Sequence, residues 1–459
     1  MILGLKTFSL GGVHVDDRKY SHDSPIEALP APKTVVLPMS QHIGAPAKAI
    51  VEKGQNVKMG QLIAEKSGFI SAAVLSSVSG IVKAIENRMT PGGFMQKCVI
   101  IENDFKDERA EAVGSNWASP DAVETVDISK VVSMVEKAGI VGMGGAAFPT
   151  AVKLAPPPDV KIDTVILNGV ECEPYLTADA RIMVEKPAII VAGLAILMKL
   201  FSKNCPVKGY IGIEANKPDA IARISAEAKN YKDIEVVPLA LKYPQGGEKQ
   251  LVNALSGRVV PSGKLPSSVG CVVQNVATAA AIYDVCVNNK PLVERVVTVT
   301  GRGVKKPKNI LVRLGTSFTE LIDFCGGLTD DSAMLICGGP MMGKALQTSE
   351  VPVTKGVSGI LILNRDEANL FEEETCIRCG RCIDVCPMGL HPGMINKLVE
   401  VNDYSKLEEY GILDCIECGS CNYVCAGHGR LVQKIKIGKA RVQEIVKARR
   451  ETKDGDAKK

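Results

Sequence analysis

Aromatic side chains make up only 4% of this 459-residue chain, with a single tryptophan, which leaves few flat surfaces on which bases could stack. A strong charge of one sign is also missing: 55 lysines and arginines stand against 51 aspartates and glutamates, so no field marks the chain as a nucleic-acid binder. Long hydrophobic runs are absent as well. The most apolar stretch, 188–198, is about half the length that spans a bilayer. Residues 1–12 lack the charged start, long apolar run and small-residue cleavage site of a secretory leader. A reducing compartment is therefore expected, and disulfides are not. With 46% hydrophobic residues the chain is globular, and its length suggests about three domains.

What the chain does have is patterned cysteine. Eight of its 15 cysteines form two arrays of one spacing, Cys376-x2-Cys379-x2-Cys382-x3-Cys386 and Cys415-x2-Cys418-x2-Cys421-x3-Cys425, with 28 residues between them. Three thiolates on one tight loop converge on one cubane, and the fourth lies far enough along to serve the other. The spacing therefore predicts two [4Fe–4S] clusters with crossed ligands: Cys376, Cys379 and Cys382 with Cys425, and Cys415, Cys418 and Cys421 with Cys386. A zinc ribbon would use pairs of C-x2-C and leave the third and fourth cysteine of each array unexplained. Pro387 follows the first array, whereas Ala426 stands at that place in the second. The other seven cysteines are scattered singly and are expected in cores.

Organisation changes along the chain. Residues 35–103 carry short alternating apolar runs punctuated by glycine, as strands and turns require. They resemble the biotinyl/lipoyl-type sandwich, but the carrier position at the hairpin tip holds Phe69, with Lys66 nearby, so a structural module is expected. From 126 to 289 helical and strand-like segments alternate, which predicts a parallel sheet covered by helices. A helix is expected over 129–138 and a strand over 165–167. The segment 296–343 carries strand-like runs with a helix near 317–324, and its Gly-Gly-Pro-Met-Met-Gly run reads as a tight turn. Apolar residues at helical spacing (Ile395, Leu398, Val399, Leu407) predict helices between the arrays, and 430–450 reads as a basic helix before a charged, frayed tail.

Three pieces of the α/β segment carry chemistry. The run from Gly139 through Gly142, Gly144, Gly145 and Phe148 to Lys153 reads as a glycine-rich loop entering a helix, where backbone N–H groups and a lysine can hold a phosphate. Asn168, Glu171, Glu173 and Pro174 follow an apolar strand, the position at which open α/β sheets bind ligands. Gly246-Gly247-Glu248-Lys249 places a glycine pair before a helix, and Gln274-Asn275 follows.

Together these pieces resemble the flavoprotein subunit of respiratory complex I. Gly142, Gly144, Gly145 and Phe148-Pro149-Thr150 match that family's G-x-G-G-x-G-F-P-T loop, with Ala147 for its last glycine, and Lys153 matches its lysine. Asn168, Glu171, Glu173 and Pro174 match its N-x-x-E-x-E-P segment, with Val170 in place of an aspartate. Its G-E-E-T turn corresponds to Gly246 through Lys249, and Asn275 matches one of two tandem asparagines. The resemblance implies FMN held by Gly142, Gly144, Gly145, Phe148, Lys153, Asn168, Glu171, Gly246 and Asn275. It also implies NADH stacked on the flavin, with Glu173 and Glu248 orienting nicotinamide and ribose and disfavouring NADPH.

Nearly the whole chain resembles the RnfC subunit of Rnf electron transport complexes. That resemblance implies an N-terminal extension (1–30), a biotinyl/lipoyl-like sandwich (31–108), a Rossmann-like FMN/NADH domain (125–290), a β-grasp SLBB domain (293–364), an α-helical two-cluster ferredoxin domain (366–440) and a tail (441–459). It further implies an NAD(H)-reacting subunit of an ion-translocating ferredoxin:NAD+ oxidoreductase, peripheral on the cytoplasmic face of the cell membrane. Its partners would be the other subunits of that complex, a ferredoxin-type and membrane subunits among them. A flavin-less relay scaffold and a soluble carrier feeding a reductase are the alternatives.

Overall fold

A computed structural model describes residues 4–111, 119–203, 205–368 and 371–456. Its centre is a four-stranded, all-parallel sheet whose spatial order is Ile234–Leu239, Lys208–Glu214, Thr164–Asn168, Cys271–Asn275. Alternation along the strands feeds two cores. Val165 and Leu167 face one side with Ile211 and Ile213, against the helices Pro187–Phe201, Pro218–Ala228 and Val276–Asn288. Ile166 faces the other with Leu239 and Val273, against the helix Glu248–Ser256. The sheet is therefore doubly wound, and the order in which strands are added reverses between Thr164–Asn168 and Cys271–Asn275: Lys208–Glu214 lies on one side of Thr164–Asn168 and Cys271–Asn275 on the other.

The 188–198 run lies within Pro187–Phe201, opened by proline at a position where its missing N–H costs nothing and buried along most of its length. It is a core helix because sheet and helices enclose it. Among the described residues no helix is long and apolar enough to cross a membrane.

Around this centre sit two β modules. The expected sandwich is a four-stranded sheet with a three-stranded one, and Phe69 is 81% exposed on a bend between their strands. The SLBB segment builds a six-stranded mixed sheet, whose edge strand Ile26–Ala28 comes from the amino-terminal segment and pairs in parallel with Lys308–Arg313. That segment also bridges Lys6 to Leu239 and Val13 to Tyr243, and Gly12 N–H donates to the Val385 carbonyl at 2.9 Å. It thus binds the parallel sheet to the carboxy-terminal module, where short helices pack through Ile395, Leu398, Leu407 and Ile435.

Helix ends depart from expectation where local chemistry intervenes. The 129–138 helix is a 3-10 turn, Ile128–Lys130, followed by Val131–Lys137, because Asp127 caps Ser129 and a left-handed Gly139 ends the run. The helix after the glycine-rich loop is only Thr150–Leu154. Helical spacing at 394–410 resolves into Pro392–Glu400 and Tyr404–Glu409, separated by left-handed Asn402 and capped by Asp403. The last helix, Leu431–Asp456, extends through most of the expected frayed tail, and 457–459 lie outside the described residues.

Gly193 shows how tightly the core helices meet: a Cβ there would lie 2.2 Å from the Ala279 carbonyl oxygen. In an open helix Gly→Ala would stabilise by about 1 kcal/mol. Here the clash should dominate, and Gly193→Ala is expected to destabilise by about 1–3 kcal/mol. Calorimetry should register a lower apparent Tm; an unchanged or higher one would mean the helices separate freely.

Candidate functional site

The reversal point gathers the sequence-predicted residues. Asn168 and Asn275 end the two adjacent strands and are register partners. Asn168 Nδ2 donates to the Gly246 carbonyl at 2.8 Å, joining the second and third motif pieces. Gly246 packs closely here: a Cβ would lie 3.2 Å from Cys172 Sγ and 3.5 Å from Val170 Cβ. Asn275 Oδ1 accepts from Ala277 and Thr278 and so caps Val276–Asn288, which turns its amide nitrogen to Asp179 at 2.6 Å. The glycine-rich loop lies over this pair, with Gly144 so close that a Cβ would be 3.3 Å from Asn275 Nδ2. Gly144 and Gly145 are exposed and Phe148 is half-buried; the loop closes on itself through Gly142 N–H to the Phe148 carbonyl at 2.8 Å. Lys153 reaches back to pair with Glu248 and donates to the Val273 carbonyl at 3.2 Å.

Buried cations hold the two loops in shape, and nothing in the sequence motifs announced them. Lys19 donates to the carbonyls of Glu171 (3.0 Å), Glu173 (2.8 Å) and Leu176 (2.7 Å), and burial lowers its pKa to about 8. Lys217 donates to the Val170 carbonyl at 2.7 Å. Under the glycine-rich loop Arg295 donates to Met143 at 3.2 Å, and Lys355 joins Gly139 to Ala73 at 2.6 Å each.

Two expected site carboxylates have other occupations. Glu171 accepts from the Asp179 and Ala180 amides at 2.7 and 3.1 Å, satisfying the start of the helix Ala178–Glu185. Glu173 accepts from Met341 (3.1 Å) and Met342 (2.8 Å) in the SLBB turn. Burial pushes the Glu173 carboxyl up to about 7 against the opposing pull of those amides. Val170 is fully buried and faces the core.

The two cysteine arrays lie side by side. Cys386, Cys415, Cys418 and Cys421 line one small apolar cavity with Ile395 and Ile435. Burial raises the Cys382 thiol, which lies near Cys379 and Cys425 and also near Cys421. Among the described residues no three His, Cys, Asp or Glu are gathered closely enough to hold a single metal ion. The inner array faces the α/β domain: buried Tyr243 donates to the Cys418 carbonyl at 2.7 Å and packs with Val13, Cys172 and Ile416. Cys376 and Cys379 are exposed.

Comparison with known proteins places this geometry. Relatives named as subunits of a proton-translocating ferredoxin:NAD(+) oxidoreductase complex (Clostridium ljungdahlii) and of a Na(+)-translocating one (Acetobacterium woodii) are 47% and 44% identical, covering 95% and 96% of this chain and 94% and 97% of theirs. The corresponding subunit of an ion-translocating oxidoreductase complex in Rhodobacter capsulatus is 38% identical, over 96% of this chain and 84% of its own. The chain belongs to the RnfC family. Family models match the RnfC barrel sandwich hybrid domain at 6–106, the Nuo51 FMN-binding domain at 135–284, the SLBB domain at 296–345 and a 4Fe-4S dicluster domain at 368–426. An air-oxidized NAD+-reducing [NiFe]-hydrogenase structure shares the fold at a TM-score of 0.51 and 15% identity, over 72% of this chain and 69% of that one.

The matched Nuo51 FMN-binding and 4Fe-4S dicluster models imply FMN and two [4Fe–4S] clusters. The residues present fit both. Thr150 Oγ1, Asp179 Oδ1 and Gln274 Nε2 are buried without a partner on the segments that build the reversal point, and orphaned polar atoms of this kind suit a polar ligand. The eight array thiols supply four ligands per cubane.

The Glu173 environment gives a testable pH dependence. Its folded pKa of about 7 lies above the ordinary 4.5, so its protonated form is the stabilised one. That contribution is complete below the ordinary value and is lost as pH rises through the folded one. Glu173→Gln keeps an amide-accepting oxygen but never ionises. Between about pH 5 and about pH 8 the variant's apparent Tm should gain on wild type; parallel curves would show that the carboxyl titrates normally.

Proposed function

We propose that this chain is the NAD(H)-reacting electron-transfer subunit of an ion-translocating ferredoxin:NAD+ oxidoreductase, working at the cytoplasmic face of a membrane complex. The observation that carries the reading is the convergence of Lys153, Asn168, Gly246 and Asn275 at the sheet's reversal point, packed through Tyr243 against a cluster-ligand loop. Lys153 holds the flavin phosphate, exchanging its pairing with Glu248 for it. The amides of Gly144 and Gly145 would supply further donors, with Gly142 closing the loop on Phe148, its apolar flank. Asn168 and Asn275 orient the flavin's polar side chain. Glu248, released from Lys153, faces the nucleotide and repels a 2′-phosphate. Glu171 and Glu173 act through the loop they brace, consistent with their amide contacts. Flavin supplies the step that converts a hydride into single electrons. Cys386, Cys415, Cys418 and Cys421 (the inner set) would hold one cluster and Cys376, Cys379, Cys382 and Cys425 (the outer set) the other, which would supply one-electron carriers between the flavin and other subunits, a ferredoxin-type subunit and membrane subunits among them.

A flavin-less relay is the second reading, favoured by buried Val170, which offers nothing to a ribityl chain. Acid extraction and iron counting separate the two, since about eight irons with one FMN support the enzyme. Lys153→Ala should lose FMN and retain both clusters; wild-type flavin content would misplace the pocket. Cys425→Ser should remove the cluster of Cys376, Cys379 and Cys382, read as loss of one EPR signal and about half the iron. Selective loss of the Cys415–Cys421 cluster would refute the crossed ligands.

A further inference from the structure

The two cysteine arrays repeat one local fold at an offset of 39 positions. The short helix Arg381–Asp384 matches Ser420–Tyr423, left-handed Gly380 (φ 79°) matches Gly419 (φ 83°), and left-handed Gly389 (φ 67°) matches His428 (φ 49°). Bonds to the fourth sulfur of each array agree too: the Leu390 amide donates to Cys386 Sγ and the Gly429 amide to Cys425 Sγ, each at 3.3 Å. A helix then follows each array, Pro392–Glu400 after the first and Leu431–Asp456 after the second. With the backbone repeated, side chains and surroundings distinguish the two cluster sites.

One equivalent pair on those helices carries opposite charge: Lys439 on the second corresponds to Glu400 on the first. Lys439 Nζ donates to the Cys415 carbonyl at 2.6 Å, and its side chain is only 17% exposed. Glu400 lies at the exposed end of its helix and pairs with Lys434 at 2.7 Å. The residue before Lys439 brings it in. Gly438 stands mid-helix, where glycine is unfavourable, and a Cβ there would lie 2.5 Å from Val399 Cγ2, so the two helices approach closely. The acidic neighbours are Glu417, which shares Lys439 at 3.1 Å and Lys436 at 3.9 Å, and Asp414, which is turned to Ser262 and the Gly263 amide. Reduction of a cluster adds one electron and breaks no bond. A fixed positive charge beside the ligands therefore favours the reduced form, and a negative one opposes it. We infer that Lys439 is a positioning residue that raises the reduction potential of the inner cluster through its bond to Cys415, with Glu417 as the opposing charge. Removing either charge shifts that potential in a direction fixed by its sign, whatever the sum of the charges that remain. The cluster beside the flavin domain is thereby made the readier acceptor of single electrons. The inference rests on the two-cluster relay reading above.

The test is an anaerobic redox titration of the full chain followed by EPR at one pH, with iron counted in each sample. In Lys439→Gln one cluster signal should become harder to reduce by about tenfold in its equilibrium, which is about 59 mV for one electron, while the other signal stays in place. The signal that moves should be the one that Cys418→Ser removes. Glu417→Gln should move the same signal upward, and Lys439→Arg, which keeps the charge, should leave it at the wild-type position. An unmoved signal in Lys439→Gln at full iron content, or equal shifts of both signals, overturns the role of Lys439. Should Lys439→Gln lose iron, Glu417→Gln decides: an upward shift of that one signal supports the assignment, and no shift or a downward one overturns it. Wild-type protein without two separate one-electron signals would instead sink the two-cluster reading itself.

Discussion

Carbonyl groups on two irregular loops need donors, and buried ammonium and guanidinium groups supply them. The loops at the sheet's reversal point approach a ligand with bare backbone, so regular secondary structure cannot satisfy them from within. Lys19, Lys217, Arg295 and Lys355 perform that task from outside. Burying a cation is costly, and these four are tolerable because their donors are occupied by carbonyls aimed at them and, for Lys217, also by the Glu214 carboxylate at 3.3 Å. Lys19 comes from the amino-terminal segment, and Arg295 and Lys355 from the SLBB sheet or its flank. The pocket is therefore a property of several modules at once.

This arrangement explains the division between what was legible in the sequence and what was not. Cysteine spacing, the glycine-rich loop and the apolar strands are local signals, and the modules they imply are present in the expected order. Asn168, Asn275, Lys153 and Glu248 come together because strand ends and helix starts fix them. The holding residues carry no local signal: Lys19 lies in an irregular segment, and its role exists only through carbonyls more than 150 positions away. Glu171 and Glu173 sit in the expected loop, yet helix starts and SLBB amides claim their oxygens, which spacing alone does not reveal.

Electrostatics along the proposed route follow the same logic. Tyr243 is buried between the flavin loop and the inner cysteine loop, donating to the Cys418 carbonyl while its ring packs against Cys172 and Ile416. Contact between the two modules is thus buried and hydrogen-bonded. Cluster potentials depend on such hydrogen bonds and on burial, and the buried inner array and exposed outer array differ in both.

The path of the amino-terminal segment bears on how the molecule is made. Residues translated early bridge Lys6 to Leu239, pair Ile26–Ala28 with Lys308–Arg313 and bond Gly12 to Val385, beside a cluster ligand translated much later. Those contacts form only after most of the polypeptide exists. Lys19 finds its three carbonyls within Glu171–Leu176, whereas Gly12 finds Val385 only beside the cysteine arrays, so one short segment is tied to both the flavin domain and the iron–sulfur module.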